Sequence, residues 1–312
     1  MQGATLREDT VNGGAMTADR ATATVGAGLR PEPLRVGTLT LQRYALDGGE
    51  PSDPVARVAI LHGYGDHAGR FAHVMRWLAG WGIASHAIDF RGHGRSEGRR
   101  GFVNRWDEFL DDLSAFLASP PLSRPGPPVF VLGHSHGGLV AAAAGARGVL
   151  RGVAGVVLTS PYLDSLVPVA PLKLLFGRCA NAVVPWLRVR SGLNDDMMSA
   201  DPAMLADSRA DPLLLRSATP RWYLSALKVQ AQVRSEANLF RHPLLALAGS
   251  ADVIAAPAAT QRFVEQASSA DKTYRSFPDL KHELLREATR EDVLHVVGEW
   301  LTSRAQARRL PE

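Results

Sequence analysis

Short, fully apolar runs alternate along the chain with longer stretches in which apolar residues recur every three or four positions. A run of four to eight apolar residues is typical of a parallel strand covered on both faces, and the longer spacing is typical of an amphipathic helix. The predicted strands comprise residues 56–61, 84–88, 129–132, 153–158, 244–248 and 273–277. Because helices separate most of these strands, the pattern predicts an α/β fold with a mostly parallel central sheet flanked by helices.

Three local patterns predict how elements begin and turn. Residues 34–46 alternate apolar and polar positions as an antiparallel hairpin arm does, and residues 47–49 are predicted to turn it. Asn104 is predicted to cap the helix that follows it. Thr289 and Asp292 resemble a capping box that opens the last helix.

Residues 161–240 break the alternation of strands and helices. Leucine, valine, proline, methionine and tryptophan cluster there without a strand signal, and the alternation resumes at Pro243. An inserted helical cap explains both the position and the apolar composition. The predicted order is a flexible N-terminal tail, a first part of the core, the cap, a second part of the core and a C-terminal tail, over residues 1–30, 31–160, 161–240, 241–304 and 305–312.

One turn of the predicted sheet carries a candidate nucleophile. The strand that begins at Val129 runs into Gly133-His134-Ser135-His136-Gly137, and a helix rich in small residues follows. Glycines two positions before and two after a serine let neighbouring backbones approach it closely, as in the G-x-S-x-G nucleophile elbow. A plain glycine-rich turn is the alternative, but the flanking strand and helix favour the elbow.

Two further side chains complete a candidate proton relay. Asp252 and His282 each follow a predicted strand of the second part of the core. A serine hydroxyl is a poor nucleophile near neutral pH, so a histidine must accept its proton and a buried carboxylate must orient the imidazole. The order Ser135, Asp252, His282 is the order found in α/β-hydrolases. Asp211 and Asp279 are weaker candidates for the acid.

Backbone N–H groups are the expected oxyanion donors. In the elbow arrangement, one donor belongs to the residue after the nucleophile and another to a loop after an early strand, often marked by His-Gly. Here these residues are His136 and Tyr64, the latter following His62-Gly63. The start of the helix after Ser135 also favours a developing negative charge.

Composition limits the cellular location and the binding partners that are expected for this protein. The chain has 312 residues, 46% of them hydrophobic and 21% charged, with a formal net charge of +4. No apolar run approaches the roughly 18 residues of a membrane span, and residues 1–30 lack the apolar segment of a signal peptide, so a cytoplasmic protein is expected. Basic clusters over residues 91–100 and 304–309 could contact anionic headgroups, but no basic tract with interleaved aromatics indicates nucleic-acid binding. The single cysteine, Cys179, rules out an internal disulfide and is predicted to be a buried, inert thiol.

Other function classes explain only part of the pattern. A metal site would have to draw on the histidines His62, His67, His93, His134 and His136. However, Gly138 and Leu139 stand where a metallohydrolase motif that begins His134-x-His136 would continue with aspartate and histidine, so no metal or other cofactor is expected. A non-catalytic binding module would not need the three side chains of the relay. Short-chain carboxylesterases, thioesterases and peptidases remain open, because fold and relay do not select the acyl group.

Further motifs occur in a fixed order along the chain. They are His62-Gly63-Tyr64-Gly65-Asp66-His67, Arg70-Phe71, residues 89–98, residues 133–138, Asp211-Pro212-Leu213, Gly249-Ser250-Ala251-Asp252 and His282-Glu283-Leu284. Together, over residues 34–302, they resemble the monoacylglycerol lipase and lysophospholipase-like branch of the serine α/β-hydrolases. The resemblance implies an α/β-hydrolase fold with a mobile cap, an apolar tunnel and hydrolysis of glycerol monoesters or related lipids by an acyl-enzyme route. It also implies an acyl ester as substrate. Separately from the resemblance, the basic clusters and the apolar cap leave peripheral membrane contact through the cap open.

Two positions depart from this family pattern. His136 follows the nucleophile where the family usually has methionine, and Tyr64 stands where the family has a small residue. Both predicted oxyanion donors are backbone groups, so the oxyanion hole can survive these changes. The floor of the pocket is expected to be more polar and more crowded.

Overall fold

The central sheet sets the positions of all the candidate residues. The computed structural model describes residues 28–308. Its strands are β1 (Leu29–Val36), β2 (Leu39–Leu46), β3 (Ala56–Leu61), β4 (Ile83–Asp89), β5 (Val129–His134), β6 (Val153–Thr159), β7 (Val189–Arg190), β8 (Ser217–Ala218), β9 (Leu244–Gly249) and β10 (Lys272–Phe277). Eight of them form one sheet in the order β1-β2-β4-β3-β5-β6-β9-β10, and β7 pairs with β8.

Helices cover both faces of this sheet. They are α1 (Ala72–Gly80), α2 (Asp107–Ala118), α3 (His136–Ala146), α4 (Pro171–Val183), α5 (Asp195–Met198), α6 (Pro202–Ala210), α7 (Pro220–Ser235), α8 (Pro257–Gln266) and α9 (Arg290–Ala307), with short 3₁₀ turns at Ala68–Phe71, Ala237–Leu239 and Leu284–Arg286. Among the described residues, none of these helices combines the length and the apolar character that crossing a bilayer would require.

The predicted fold class is confirmed. From β4 to β10 every neighbouring pair in the sheet is parallel, whereas β1 and β2 add an antiparallel edge. Successive residues of β3 point to opposite faces. Ala59 and Leu61 belong to the apolar cluster that also contains residues of α2, α3, α7 and α8, and Val58 and Ile60 belong to the cluster that contains residues of α1 and α9. Both faces of the sheet are therefore covered, which explains why its strands are apolar throughout.

The hairpin differs from its prediction. β1 begins at Leu29 and pairs with β2 along its whole length, and the turn between them is Gly37–Thr38. Gly37 has a φ of 59°, a left-handed conformation that glycine adopts without steric cost. Residues 47–49 do not turn this hairpin, because they lie after β2 on the way to β3.

Neither predicted helix cap forms. The residue that precedes α2 is Trp106, two positions beyond Asn104, and Asp107 and Glu108 supply negative charge in the first turn instead. Thr289 does precede α9, but its φ of −96° and ψ of 23° are not extended and its side chain caps no N–H group. A capping side chain needs the extended backbone that orients its oxygen toward the first turn.

The segment between β6 and β9 contains α4 to α7 and the small sheet of β7 and β8. This is where a cap over residues 161–240 is predicted, and we call residues 161–240 the insert. Of the predicted N-terminal tail, residues 1–27 lie outside the described residues, while residues 29 and 30 belong to β1. Of the predicted C-terminal tail, residues 309–312 lie outside the described residues, while residues 305–307 belong to α9. The five predicted boundaries remain predictions.

Candidate active site

Ser135 lies in a sharp turn between β5 and α3. Its φ of 51° and ψ of −114° are unusual for a residue with a side chain, and such strain is stored at functional sites when the surroundings enforce it. A Cβ atom on Gly133 would collide with the carbonyl of Gly137, and one on Gly137 would collide with the carbonyl of Leu61. The two glycines thus let the strand, the turn and the helix approach closely enough to expose the serine.

A chain of hydrogen bonds joins Ser135, His282 and Asp252. The Nε2 atom of His282 lies 2.9 Å from Oγ of Ser135, and its Nδ1 atom lies 2.8 Å from Oδ2 of Asp252. The other carboxylate oxygen of Asp252 accepts hydrogen bonds from the N–H groups of Ile254 and Ala255 at 2.8 and 2.9 Å. The ends of β5, β9 and β10 meet at one sheet edge, which brings together side chains 147 positions apart in the sequence.

Burial and mutual attraction together set the protonation states of Asp252 and His282. Burial alone would raise the pKa of the Asp252 carboxyl, but the neighbouring His282 and two N–H donors hold that pKa below its usual value. Burial alone would lower the pKa of His282, but the Asp252 charge and hydrogen bond raise it, with a further contribution from Glu283. Asp252 is therefore ionised, and with Nδ1–H donated to it, Nε2 of His282 is free to accept a proton.

The weaker candidate acids lie elsewhere. Asp211 accepts a hydrogen bond from Nε2 of His67 at 2.8 Å, and Asp279 sits at a φ of 61° in the exposed turn after β10. Neither contacts His282. The structure thus brings together the three side chains that were predicted from their order in the sequence, and it places the two alternative acids elsewhere.

The two proposed oxyanion donors flank Ser135. Tyr64 follows Gly63, whose backbone passes so close that an added Cβ would lie 3.3 Å from Cβ of Ser135. His136 is the first residue of α3, and the first N–H groups of an α-helix have no carbonyl partner within the helix. Donation by these two groups to a substrate oxyanion remains a prediction.

A cleft of about 470 Å³ lies over Ser135 between the sheet edge and the insert. The insert contributes an apolar wall, formed by Leu193, Met198, Met204, Leu205, Leu214 and Leu215. Charged residues of the insert and of the core also line the cleft, namely Asp66, Arg70, Arg190, Asp195, Arg216 and Glu283. The cleft can therefore accommodate a molecule with an apolar part and a polar part.

The two departures from the family pattern fill space beside the nucleophile. The Tyr64 ring lines the cleft and stacks on Trp222 of α7, with ring centroids 3.5 Å apart. Its hydroxyl donates to the carbonyl of Gly101 at 2.9 Å. The His136 ring is fully buried behind it, edge-on to Phe109 at 4.6 Å. The stacking of Tyr64 on a residue of the insert had no signal in the sequence.

Cys179 is exposed, so the predicted burial of this thiol is wrong. It lies on α4, where Ala180 alone is buried among the helix's residues, because that helix presents most of its surface outward. Within residues 28–308 no three histidine, cysteine, aspartate or glutamate side chains are arranged to hold a metal ion.

Comparison with known proteins reveals similarity along most of the chain. Residues 52–289 match the family described as serine aminopeptidase, S33. The chain is 31% identical to the monoacylglycerol lipase of Mycolicibacterium smegmatis over 81% of this chain and 90% of that protein. It is 31% identical to the phospholipase YtpA of Bacillus subtilis over 77% of this chain and 92% of that protein.

Solved structures show the same architecture. The monoacylglycerol lipase of Paleococcus ferrophilus superimposes with a TM-score of 0.75 at 26% identity, covering 85% of this chain and 99% of that one. A soluble variant of monoglyceride lipase from Saccharomyces cerevisiae, solved with a substrate analog, gives a TM-score of 0.79 at 21% identity, covering 88% of this chain and 96% of that one. At that lower identity the likeness speaks for the fold alone.

Proposed function

The chain belongs to the serine aminopeptidase S33 family, and from that premise we propose that it hydrolyses the carboxylic ester bond of monoacyl lipids, either monoacylglycerols or lysophospholipids. The observation that carries the proposal is the unbroken hydrogen-bond chain from Ser135 through His282 to Asp252. Relatives named monoacylglycerol lipase and phospholipase support the choice of substrate class. The predicted family resemblance is confirmed by the same relatives.

The proposed reaction follows from the positions of these groups. Oγ of Ser135 attacks the ester carbonyl while Nε2 of His282 takes the hydroxyl proton, and Asp252 stabilises the imidazolium that forms. The N–H groups of Tyr64 and His136 hold the oxyanion. His282 then protonates the leaving alcohol, which departs and leaves an acyl-serine. Water attacks this ester with His282 again as base, the fatty acid is released and the proton returns to Ser135.

The cleft supports an acyl lipid with a polar head. The apolar wall contributed by the insert offers a surface for the acyl chain, since each buried methylene contributes about 0.8 kcal/mol. The charged groups that also line the cleft suit a glycerol or phosphate-bearing head. A short-chain carboxylesterase or thioesterase would use the same three side chains, so the length of the preferred acyl chain separates these functions.

Labelling with a fluorophosphonate probe tests the nucleophile. Wild type should be labelled and Ser135→Ala should not, because the probe reacts with an activated serine. Ser191→Ala is the matched control, since Ser191 lines the same cleft without contacting His282, and this variant should be labelled as wild type is. Equal labelling of wild type and Ser135→Ala would contradict the mechanism.

A substrate series tests the lipid part of the proposal. Hydrolysis of monoacylglycerols, lysophospholipids and p-nitrophenyl esters should be compared across chain lengths, with kcat/KM as the measure. We expect a maximum at medium or long acyl chains. A maximum at acetate or butyrate esters would leave the serine mechanism intact and replace the lipid substrate with a short-chain ester.

We also propose that the insert contacts a membrane surface through α4. Leu172, Leu175, Phe176 and Val183 recur at helical spacing along one side of this helix, and Leu172 and Val183 are 77% and 76% exposed. Lys173 and Arg178 lie on the same helix, and Arg188 and Arg190 follow it. An apolar stripe flanked by cations is typical of a helix that lies in the interface of an anionic membrane.

Sedimentation with vesicles tests this contact. Wild type should sediment with phosphatidylglycerol vesicles more than with phosphatidylcholine vesicles, and Leu172→Asp/Val183→Asp should lose most of that binding. Leu239→Asp is the control, because Leu239 is 47% exposed but lies outside α4. Binding of the α4 variant equal to that of wild type would disprove the contact.

A further inference from the structure

A second acid and imidazole pair lies beside the proposed triad. His134 immediately precedes Ser135, and Glu283 immediately follows His282. Nε2 of His134 lies 3.7 Å from Oε1 of Glu283, and the rings of His134 and His282 are 5.2 Å apart. The side chains of His134 and Glu283 are both buried. The immediate neighbours of the nucleophile and of the base therefore face each other, although the proposed reaction does not use them.

His134 is fixed from its other side as well. Its Nδ1 atom lies 3.2 Å from the hydroxyl of Thr159 at the end of β6. Its ring also approaches Gly63, since a Cβ on that glycine would lie 3.5 Å from the ring. Nδ1 of the ring thus faces Thr159, while Nε2 faces Glu283 at an ion-pair distance and makes no hydrogen bond within residues 28–308.

Glu283 is held as a carboxylate at the wall of the cleft. Burial would raise the pKa of this carboxyl, but His134, Arg70 and Arg286 lower it well below its usual value. Arg70 comes from the 3₁₀ turn after β3 and is itself bonded to Asp66 at 2.8 Å, and Arg286 comes from the turn that follows Glu283. The backbone N–H of Glu283 donates to the carbonyl of Met198 in the insert at 2.9 Å.

We propose that Glu283 is a positioning residue for the proposed ester hydrolysis, a second buried carboxylate that stabilises the imidazolium of His282 and is oriented by His134. The inference rests on the proposed function, since it assigns a role in that reaction. In a site shielded from water, a carboxylate next to an imidazole favours its charged form. The acidic groups that act on His282 are Asp252, on the loop after β9, and Glu283 itself.

The pH dependence of kcat/KM tests this role, because its acid limb reports the pKa of the base in the free enzyme. Glu283 raises the pKa of His282, so its removal lowers that pKa. The acid limb of Glu283→Gln should therefore move to lower pH by about 0.5 to 1 unit. At the pH optimum, kcat should fall by about 3-fold to 10-fold because the imidazolium is less stabilised. Glu283→Asp retains the charge and should restore the limb toward its wild-type position.

Glu287→Gln is the matched control. Glu287 is a buried glutamate four positions further along the same loop, but its carboxylate accepts hydrogen bonds from the N–H of Ala200 at 3.1 and 3.3 Å and does not act on His282. The acid limb of the kcat/KM profile of Glu287→Gln should coincide with that of wild type. If Glu283→Gln does not fold, Glu283→Met provides an uncharged residue of similar size, with the same expected shift.

An unmoved acid limb in a folded, less active Glu283→Gln or Glu283→Met would overturn the proposal and leave Glu283 as a structural residue. That outcome differs from a failure of the proposed function. If Ser135 were not the nucleophile, wild type would hydrolyse no acyl ester through it and Ser135→Ala would still be labelled. The position of the limb is thus measured only in an enzyme whose serine mechanism has already been established.

Discussion

The residue that follows the proposed nucleophile is a desolvated imidazole without a polar partner. His136 is fully buried, and both of its ring nitrogens lack a hydrogen-bond partner within residues 28–308. The rings around it are those of Tyr64, Phe90, Trp106, Phe109 and Trp222. Burial lowers its pKa well below the usual value, so the ring is neutral. An unsatisfied buried polar group of this kind destabilises the folded state.

His136→Met should therefore stabilise the protein by about 1–2 kcal/mol, because methionine fills a similar volume without unpaired nitrogens. Urea denaturation measures the change in the free energy of unfolding. His62→Met is the matched control, since Nδ1 of His62 lies 2.7 Å from the carbonyl of Gly63 and Nε2 accepts from the N–H of Phe90 at 3.0 Å. That variant should be destabilised. Equal losses of stability in the two variants would refute this account of His136.

At the residue scale, the sequence predicts those site residues that a local motif marks. Ser135 stands out because glycine spacing and the flanking strand and helix are all local. The choice of Asp252 over Asp211 needed chain order, and only the assembled sheet shows that Asp211 is bonded to His67 instead. The sequence places Glu283 next to His282 in a family motif, but it does not show the contact with His134, because that histidine approaches Glu283 from the end of β5.

At the scale of elements, the cap of α7 shows what the failed cap predictions lacked. Thr219 has an extended backbone, with a φ of −93° and a ψ of 146°, and its hydroxyl accepts from the N–H of Trp222. The same hydroxyl donates to the carbonyl of Gly101 at 2.8 Å. Thr289 has the residue type of a cap but not the backbone conformation. Strands and helices follow from hydrophobic periodicity, whereas a cap depends on dihedral angles that neighbouring segments impose.

Thr219→Ala should lower the free energy of unfolding by about 1–2 kcal/mol, because it removes the cap of α7 and one of the two hydroxyl donors to the Gly101 carbonyl, the other being that of Tyr64. Thr289→Ala should change it by less than about 0.5 kcal/mol, since that side chain caps nothing. Thermal and urea denaturation of the two variants gives the comparison. Similar losses would mean that the hydroxyl of Thr219 does not stabilise the start of α7.

At the scale of the whole molecule, burial of histidines couples folding to pH. Six buried or partly buried histidines share a pKa below the usual value, mainly because burial disfavours their charged form, and they are His62, His73, His86, His93, His136 and His242. The pKa is lowered to about 4 for His73 and His86, and to about 3 for His93. His282 acts in the opposite direction, because its pKa is raised. Below the usual pKa of histidine, these buried imidazoles therefore stay neutral in the folded chain and become protonated when the chain unfolds.

Stability should therefore fall steeply as the pH drops below the unfolded-state pKa of histidine, about 6.5. Below that pH the unfolded chain binds protons that the folded chain excludes, and each such histidine lowers the free energy of unfolding by about 1.4 kcal/mol per pH unit until its folded-state pKa is reached. Urea denaturation at pH 7.5, 6.5 and 5.5 measures the slope. His86→Gln should reduce that slope by about 1.4 kcal/mol per pH unit, because it removes one histidine that takes up a proton only on unfolding. A free energy of unfolding that stays constant between pH 7.5 and 5.5 would show that these histidines are not held neutral by the fold.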